Sequence, residues 1–138
     1  MVLDMSDTST ESRQPDIQVA GDNARAVTGD LGTSYAGRMG VAISGDGGYS
    51  QAGDMGFAVS GDGGMAISGI GGFSIVGVGG MARSGPGGSI TIFGISETGH
   101  RYGVSADIDD VNGPSADTMY QLEGHRFVLA SGSRAKVV

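Results

Sequence analysis

Two short segments carry the residue types most often used for chemistry. Gly99-His100-Arg101-Tyr102 and Gly124-His125-Arg126-Phe127 are near-repeats, each setting a histidine beside an arginine. Histidine titrates near neutral pH and ligates metals, so a pair suggests a metal site or an acid/base couple. Yet each histidine follows a turn glycine and opens a strand pattern, a position that hairpin geometry explains by itself. Neither sits beside a fixed carboxylate or nucleophile in sequence, so the structural reading is favoured, with both arginines available to pair with carboxylates. Asp107-Ile108-Asp109-Asp110-Val111-Asn112-Gly113 invites a calcium reading. The calcium loop needs Asp or Asn at its fifth position and Gly at its sixth. Here the fifth is Val111, and Asn112 and Gly113 arrive one residue late. There is no cysteine for a thiolate metal site, no phosphate-binding Gly-Lys-Ser/Thr loop and no Gly-x-Ser-x-Gly elbow. The expectation is a chain with no catalytic residue, no metal and no cofactor.

What positions these residues is a repeat. Glycine fills 28 of 138 positions and recurs every eighth residue from Gly21 to Gly85. A second glycine follows three places later, from Gly32 to Gly88, and Ala24 alone breaks the pattern. The consensus octad is G-D-x-G-x-A-x-S over residues 21–92. Its first half has the Gly and Asp of a turn, and its second half alternates large and small residues as a strand does. Helix is disfavoured, because two glycines per octad cost about 2 kcal/mol relative to alanine. Collagen is excluded by the period and by only three prolines. A nine-residue calcium-binding repeat is excluded by the period of eight.

The fifth and seventh octad positions tell how many octads close a coil. Odd octads give Arg25/Val27, Val41/Ile43, Phe57/Val59, Phe73/Ile75 and Ser89/Thr91. Even octads give the more mixed Thr33/Tyr35, Tyr49/Gln51, Met65/Ile67 and Met81/Arg83. Two octads per coil put these sets on opposite faces of a flattened solenoid. The expected fold is all-β: a parallel β-solenoid of 16-residue coils, four and a half of them, closed by a C-terminal β-hairpin cap. Small residues at the sixth and eighth positions suit its thin interior. The large residues are then expected to face outward, with Val41, Ile43, Phe57, Val59, Phe73 and Ile75 as a contiguous apolar face; the alternative is that these residues are the core. A patch of that kind calls for a partner or a second subunit, and a homodimer is the expectation.

In the same geometry Asp30, Asp46 and Asp62 stack as an acidic column on one edge, about 4.8 Å apart. Asp22 and Asp54 lie on the other edge, with Arg38 between them to relieve the repulsion there. Lys plus Arg total 8 and Asp plus Glu total 15, a net charge of −7. That balance argues against direct nucleic-acid binding and suits a basic protein partner or cations. The column has two readings: carboxylates that cap turns, which is favoured, or a rod edge that imitates phosphate spacing.

The octads resemble a family of short phage and prophage proteins built from strings of G-D-x-G-T-A-x-A units. The following segment adds to the likeness through Ile90-Thr91-Ile92-Phe93, His100-Arg101-Tyr102, Met119-Tyr120-Gln121-Leu122 and Arg126-Phe127-Val128-Leu129. The resemblance spans residues 21–130, specifies architecture and carries no catalytic residue. There is a weaker similarity to the octapeptide solenoids of bacterial ice-nucleation proteins, but their Thr-x-Thr ladders are missing.

The resulting organisation is a flexible acidic arm over 1–20, ordered from about Ile17; the solenoid over 21–92; a hairpin cap and candidate dimerisation module over 93–130; and a frayed tail over 131–138. The opening residues lack a positive segment followed by an apolar stretch, which is the expectation for a chain without a secretory signal. No apolar run approaches the roughly 18 residues of a membrane span. Function is expected to be binding rather than catalysis. The phage resemblance implies an inhibitor of a host nucleic-acid-directed defence, of anti-CRISPR or anti-restriction type, acting by protein contact with partial DNA mimicry in the bacterial cytoplasm. The alternative is a virion decoration or tail component using the same faces for packing.

Overall fold

The computed structural model describes residues 17–109 and 114–129, and every regular element among them is a β-strand. The octads fold as their composition dictates. In each, the first four residues close a tight turn and the next three or four form a strand. The turn at Gly45–Gly48 shows the chemistry. The Gly48 N–H donates to the Gly45 carbonyl at 3.1 Å, and Gly47 takes φ +68°, the pattern of a type II turn.

Strands alternate between two sheets. One face holds β1 (Ile17–Val19), β3 (Thr33–Tyr35), β5 (Tyr49–Gln51), β7 (Met65–Ile67) and β9 (Met81–Arg83). The other holds β2 (Arg25–Val27), β4 (Val41–Ile43), β6 (Phe57–Ser60), β8 (Phe73–Val76) and β10 (Ser89–Ile95). All pairings among these ten are parallel, with residue i opposite i+16: Val41 pairs Phe57, Phe57 pairs Phe73, and Tyr49 pairs Met65. A coil is therefore two octads. The ladder begins half a coil before the first octad, because Ile17–Val19 pairs in parallel with Thr33–Tyr35. That makes five coils in place of four and a half.

The end of the solenoid is closed on both faces. On the six-stranded sheet, β11 (Arg101–Asp107) pairs antiparallel with β10 along its whole length, Ser89 opposite Asp107 and Ile95 opposite Arg101. On the seven-stranded sheet, β12 (Tyr120–Glu123) pairs antiparallel with β9 at Ala82–Tyr120, and β13 (Arg126–Leu129) completes a hairpin with it. Antiparallel strands satisfy the edge that a last parallel coil would expose. The acidic arm before Ile17, the Asp110–Gly113 stretch of the calcium-like segment and the tail from 130 onward lie outside the described residues.

The interior is filled by the small octad positions. Ala26, Ala42, Ala58, Ala66 and Ala82 are buried, as are Thr28, Ser34, Ser44, Ser50, Ser60, Ser68, Ser74 and Ser84. The buried hydroxyls do not go unpaired. Ser34 donates to the Ile43 carbonyl at 2.8 Å, Ser50 to Val59 at 2.7 Å, Ser60 to Met65 at 2.8 Å and Ser74 to Arg83 at 2.6 Å. Each bond runs from one strand to the chain crossing the thin interior, so serine ties the two sheets together where alanine would only fill space. Toward the cap the interior widens and becomes apolar. Val76, Ile90, Ile92, Ile108, Tyr120 and Phe127 form a bulky cluster there, with Tyr120 against Phe127 edge-on at 6.4 Å.

Candidate binding faces

The six-stranded sheet turns its large side chains outward. Phe57 is 44% exposed and Phe73 42%, while Val41, Ile43, Val59 and Ile75 are half-buried by their neighbours. Register sets this arrangement: strand alternation puts Ala58 inward, so Phe57 and Val59 must face out. In-register pairing stacks Phe57 on Phe73, rings 5.0 Å apart and 13° from parallel. The six predicted residues thus come together on one surface. Its ends are polar. Arg25 stands outward on β2 at one end. At the other, Asp107 accepts the Ser89 hydroxyl at 2.8 Å, and Thr91 bonds Ser105 at 2.7 Å.

The acidic column forms as the period requires, but its carboxylates are employed. Asp30 Oδ1 accepts the Asp46 N–H at 3.0 Å, Asp46 Oδ1 the Asp62 N–H at 2.9 Å, and Asp62 Oδ1 the Val78 N–H at 2.9 Å. On the other edge Asp22 accepts the Arg38 N–H at 2.8 Å and Asp54 the Ile70 N–H at 3.0 Å. Each Asp caps the corner of the following coil, not its own turn. This explains the Gly-Asp pairing of the octad. A Cβ on Gly45 or Gly61 would collide with the carboxylate of the preceding coil, Asp30 or Asp46.

Relief of repulsion differs between the edges from what the sequence suggests. No ion pair joins Arg38 to Asp22 or Asp54 among the described residues; its backbone N–H makes the contact. The pair forms instead on the column. Arg101, from the hairpin overhanging that edge, grips Asp62 with both terminal nitrogens at 3.2 and 3.0 Å. The guanidinium and the Val78 N–H hold the Asp62 carboxyl below the usual carboxylate range. Asp62 in turn raises Arg101, with Asp46 adding to the effect.

The two histidine segments converge at the same end. The Tyr102 hydroxyl donates to the Gly124 carbonyl at 2.9 Å, and its ring stacks on His125 at 4.3 Å. His100 Nδ1 lies 2.9 Å from the Thr98 hydroxyl. An open cleft of about 520 Å³ lies between the hairpin turns, lined by Glu97, Thr98, Tyr102 and His125 among others. Among the described residues no group of three or more His, Asp or Glu side chains is placed to hold a metal ion.

Sequence reasoning also missed a feature of the turns. The third octad position needs positive φ, and at Leu31, Met39 and Met55 an apolar residue takes it, at +61°, +56° and +59°. Met39 and Met55 stand exposed beside Ile70, lining a shallow groove of about 360 Å³ with Arg38 and Asp54. Glycine serves the same position at Gly47, Gly63, Gly71, Gly79 and Gly87. The signal was a non-glycine at a column where glycine is the easy choice. No family model matches the chain, and no curated protein or solved structure matches it.

Proposed function

We propose that the protein is a non-catalytic binding module whose contact surface is the outer face of the six-stranded sheet. The observation that carries this reading is the distribution of size. Alanine and serine fill the interior, while Phe57, Phe73 and four β-branched residues are set outward on one surface. Folding alone would be better served by the reverse, since apolar area stabilises in proportion to its burial. The use to which such a module is put follows from the phage resemblance and the net charge of −7. It acts as an inhibitor of a host nucleic-acid-directed defence, of anti-CRISPR or anti-restriction type, docking by protein contact on a basic partner.

The column supports a smaller share of that role than its spacing alone promises. Its Oδ1 atoms staple successive coils and Asp62 is paired with Arg101, so Asp30 and Asp46 carry what acidic presentation remains. That structural employment favours a second reading, a virion decoration or tail component that packs through the same apolar face. Affinity capture from a bacterial lysate, with identification by mass spectrometry, separates the two. The inhibitor reading expects a nuclease or guide-binding effector, released by high salt and absent with Phe57→Asp/Phe73→Asp. Recovery of capsid or tail proteins alone, indifferent to salt, overturns it in favour of assembly.

A further inference from the structure

We infer that the apolar face is completed by a second copy of this chain, laid face to face with its rod axis reversed. This rests on the binding-module reading and names the occupant of the face in the free protein; a target that docks on the same face displaces the second copy. The argument is a symmetry of the face. Along the rod the six-stranded sheet runs β2, β4, β6, β8, β10, β11. Over the solenoid strands its outward positions fall into two columns, and past the corner β10 and β11 add the outward pairs Phe93/Gly103 and Ile95/Arg101. One reads Arg25, Val41, Phe57, Phe73, Ser89, Asp107; the other reads Val27, Ile43, Val59, Ile75, Thr91, Ser105.

A two-fold axis parallel to the strands, through the centre of the sheet between β6 and β8, keeps each column on itself and reverses its order. Phe57 then faces Phe73 of the other copy and Val59 faces Ile75, so the two stacked ring pairs meet at the centre. The same operation places Arg25 opposite Asp107 at both ends. The register is fixed by the aromatic centre alone, and the charges then fall on opposite charges without adjustment. Asp107 is held for the purpose, its Oδ1 accepting the Ser89 hydroxyl at 2.8 Å. A two-fold axis along the rod instead sets column against column at equal height. It leaves Arg25 over Val27 and Asp107 over Ser105, so the charge pattern selects the antiparallel arrangement. Isologous contact of this kind closes at two copies and covers the Phe57/Phe73 face in both.

The area sets the class of interface. Six strands spaced about 4.8 Å, each about four residues of about 3.3 Å, give a face of roughly 400 Å², so pairing buries roughly 800 Å² or somewhat more in total. That is below the usual size of a stable interface and within the range of weak, transient ones, so the dimer is expected to be reversible and concentration-dependent.

Sedimentation equilibrium of the full chain across concentration tests this. The expected result is a monomer of 13.8 kDa passing to twice that mass. Arg25→Asp and Asp107→Arg should each weaken the dimer about tenfold or more, and the double swap should restore it to within about threefold. Phe57→Asp/Phe73→Asp should sediment as a monomer, and the milder Phe57→Ser should stay folded by circular dichroism. A monomer at every concentration, or a dimer indifferent to Arg25→Asp, overturns the second-copy inference and leaves the face to a different protein. An unfolded Phe57→Ser overturns the binding-module reading itself, because the ring would then be core.

Discussion

Ala58 and Phe57 are neighbours in sequence and lie on opposite sides of one sheet, so substituting each tests which side is the inside. Ala58 is fully buried between the sheets, and its register partners Ala42 and Ser74 are equally enclosed. Ala58→Leu adds three carbons where the facing surface is only alanine, serine and backbone. The interior cannot widen at one coil without breaking pairing to the coils on either side. Overpacking of a tight core costs about 1–3 kcal/mol, and the rigidity here argues for about 3. Phe57→Ser removes a ring that is 44% exposed. About half the value of burying a Phe is at stake, roughly 1 kcal/mol, and loss of the stack on Phe73 adds about 1 more.

Thermal unfolding followed by circular dichroism reads both. For a chain of this size about 1 kcal/mol moves Tm by roughly 3–5 °C, so Ala58→Leu should lower it by roughly 10–15 °C. In the opposite arrangement, with the large residues inside, leucine at 58 would sit on the surface and change stability by less than about 0.5 kcal/mol. Phe57→Ser would then cost about 3–5 kcal/mol as a core truncation. A neutral Ala58→Leu together with a crippled Phe57→Ser would refute the inside-out assignment and every functional statement built on it.

Other outcomes follow from individual contacts. Ser50→Ala should cost about 1 kcal/mol in chemical denaturation, because the Val59 carbonyl loses the hydroxyl at 2.7 Å but keeps the Ser44 N–H at 2.8 Å; a cost above about 3 would mean that the carbonyl had no second donor. Met55→Gly should raise stability by a few tenths of a kcal/mol, since relief of φ +59° exceeds the added freedom of the unfolded chain, and a fall in Tm would show that Met55 packs usefully. Asp62 has a depressed carboxyl, so its contribution is present above the unfolded pKa near 4 and is lost as pH falls through the lower folded value. Wild type and Asp62→Asn should therefore differ in Tm at pH 6 and converge toward pH 2, and a constant difference across that range would detach Asp62 from the acid response.

The sequence shows whatever a translation of sixteen residues repeats. Odd and even octads differ at their fifth and seventh positions, and that difference alone sets two octads to a coil, which the Val41–Phe57–Phe73 register bears out. The inward alanines and serines are legible for the same reason, since every coil asks the same of them. Two kinds of information are hidden. One is the destination of a bond. Asp30 could cap its own turn or the corner sixteen residues on, and both uses demand the same Asp at the same spacing; only the carboxylate lying over Gly45 decides. The other is whatever breaks the translation. Arg101 reaches Asp62 across 39 residues, and Tyr102 meets His125, because β10 runs straight past the corner where earlier strands turn. The same break supplies Asp107 at the end of the apolar face, opposite in charge to Arg25 at its start. A perfect repeat would present the same side chain at every height, and such a face has no register to recognise. The polar ends, one from the first octad and one from the cap, are what make this face directional, so the interface would be specified where the repeat fails and not where it holds.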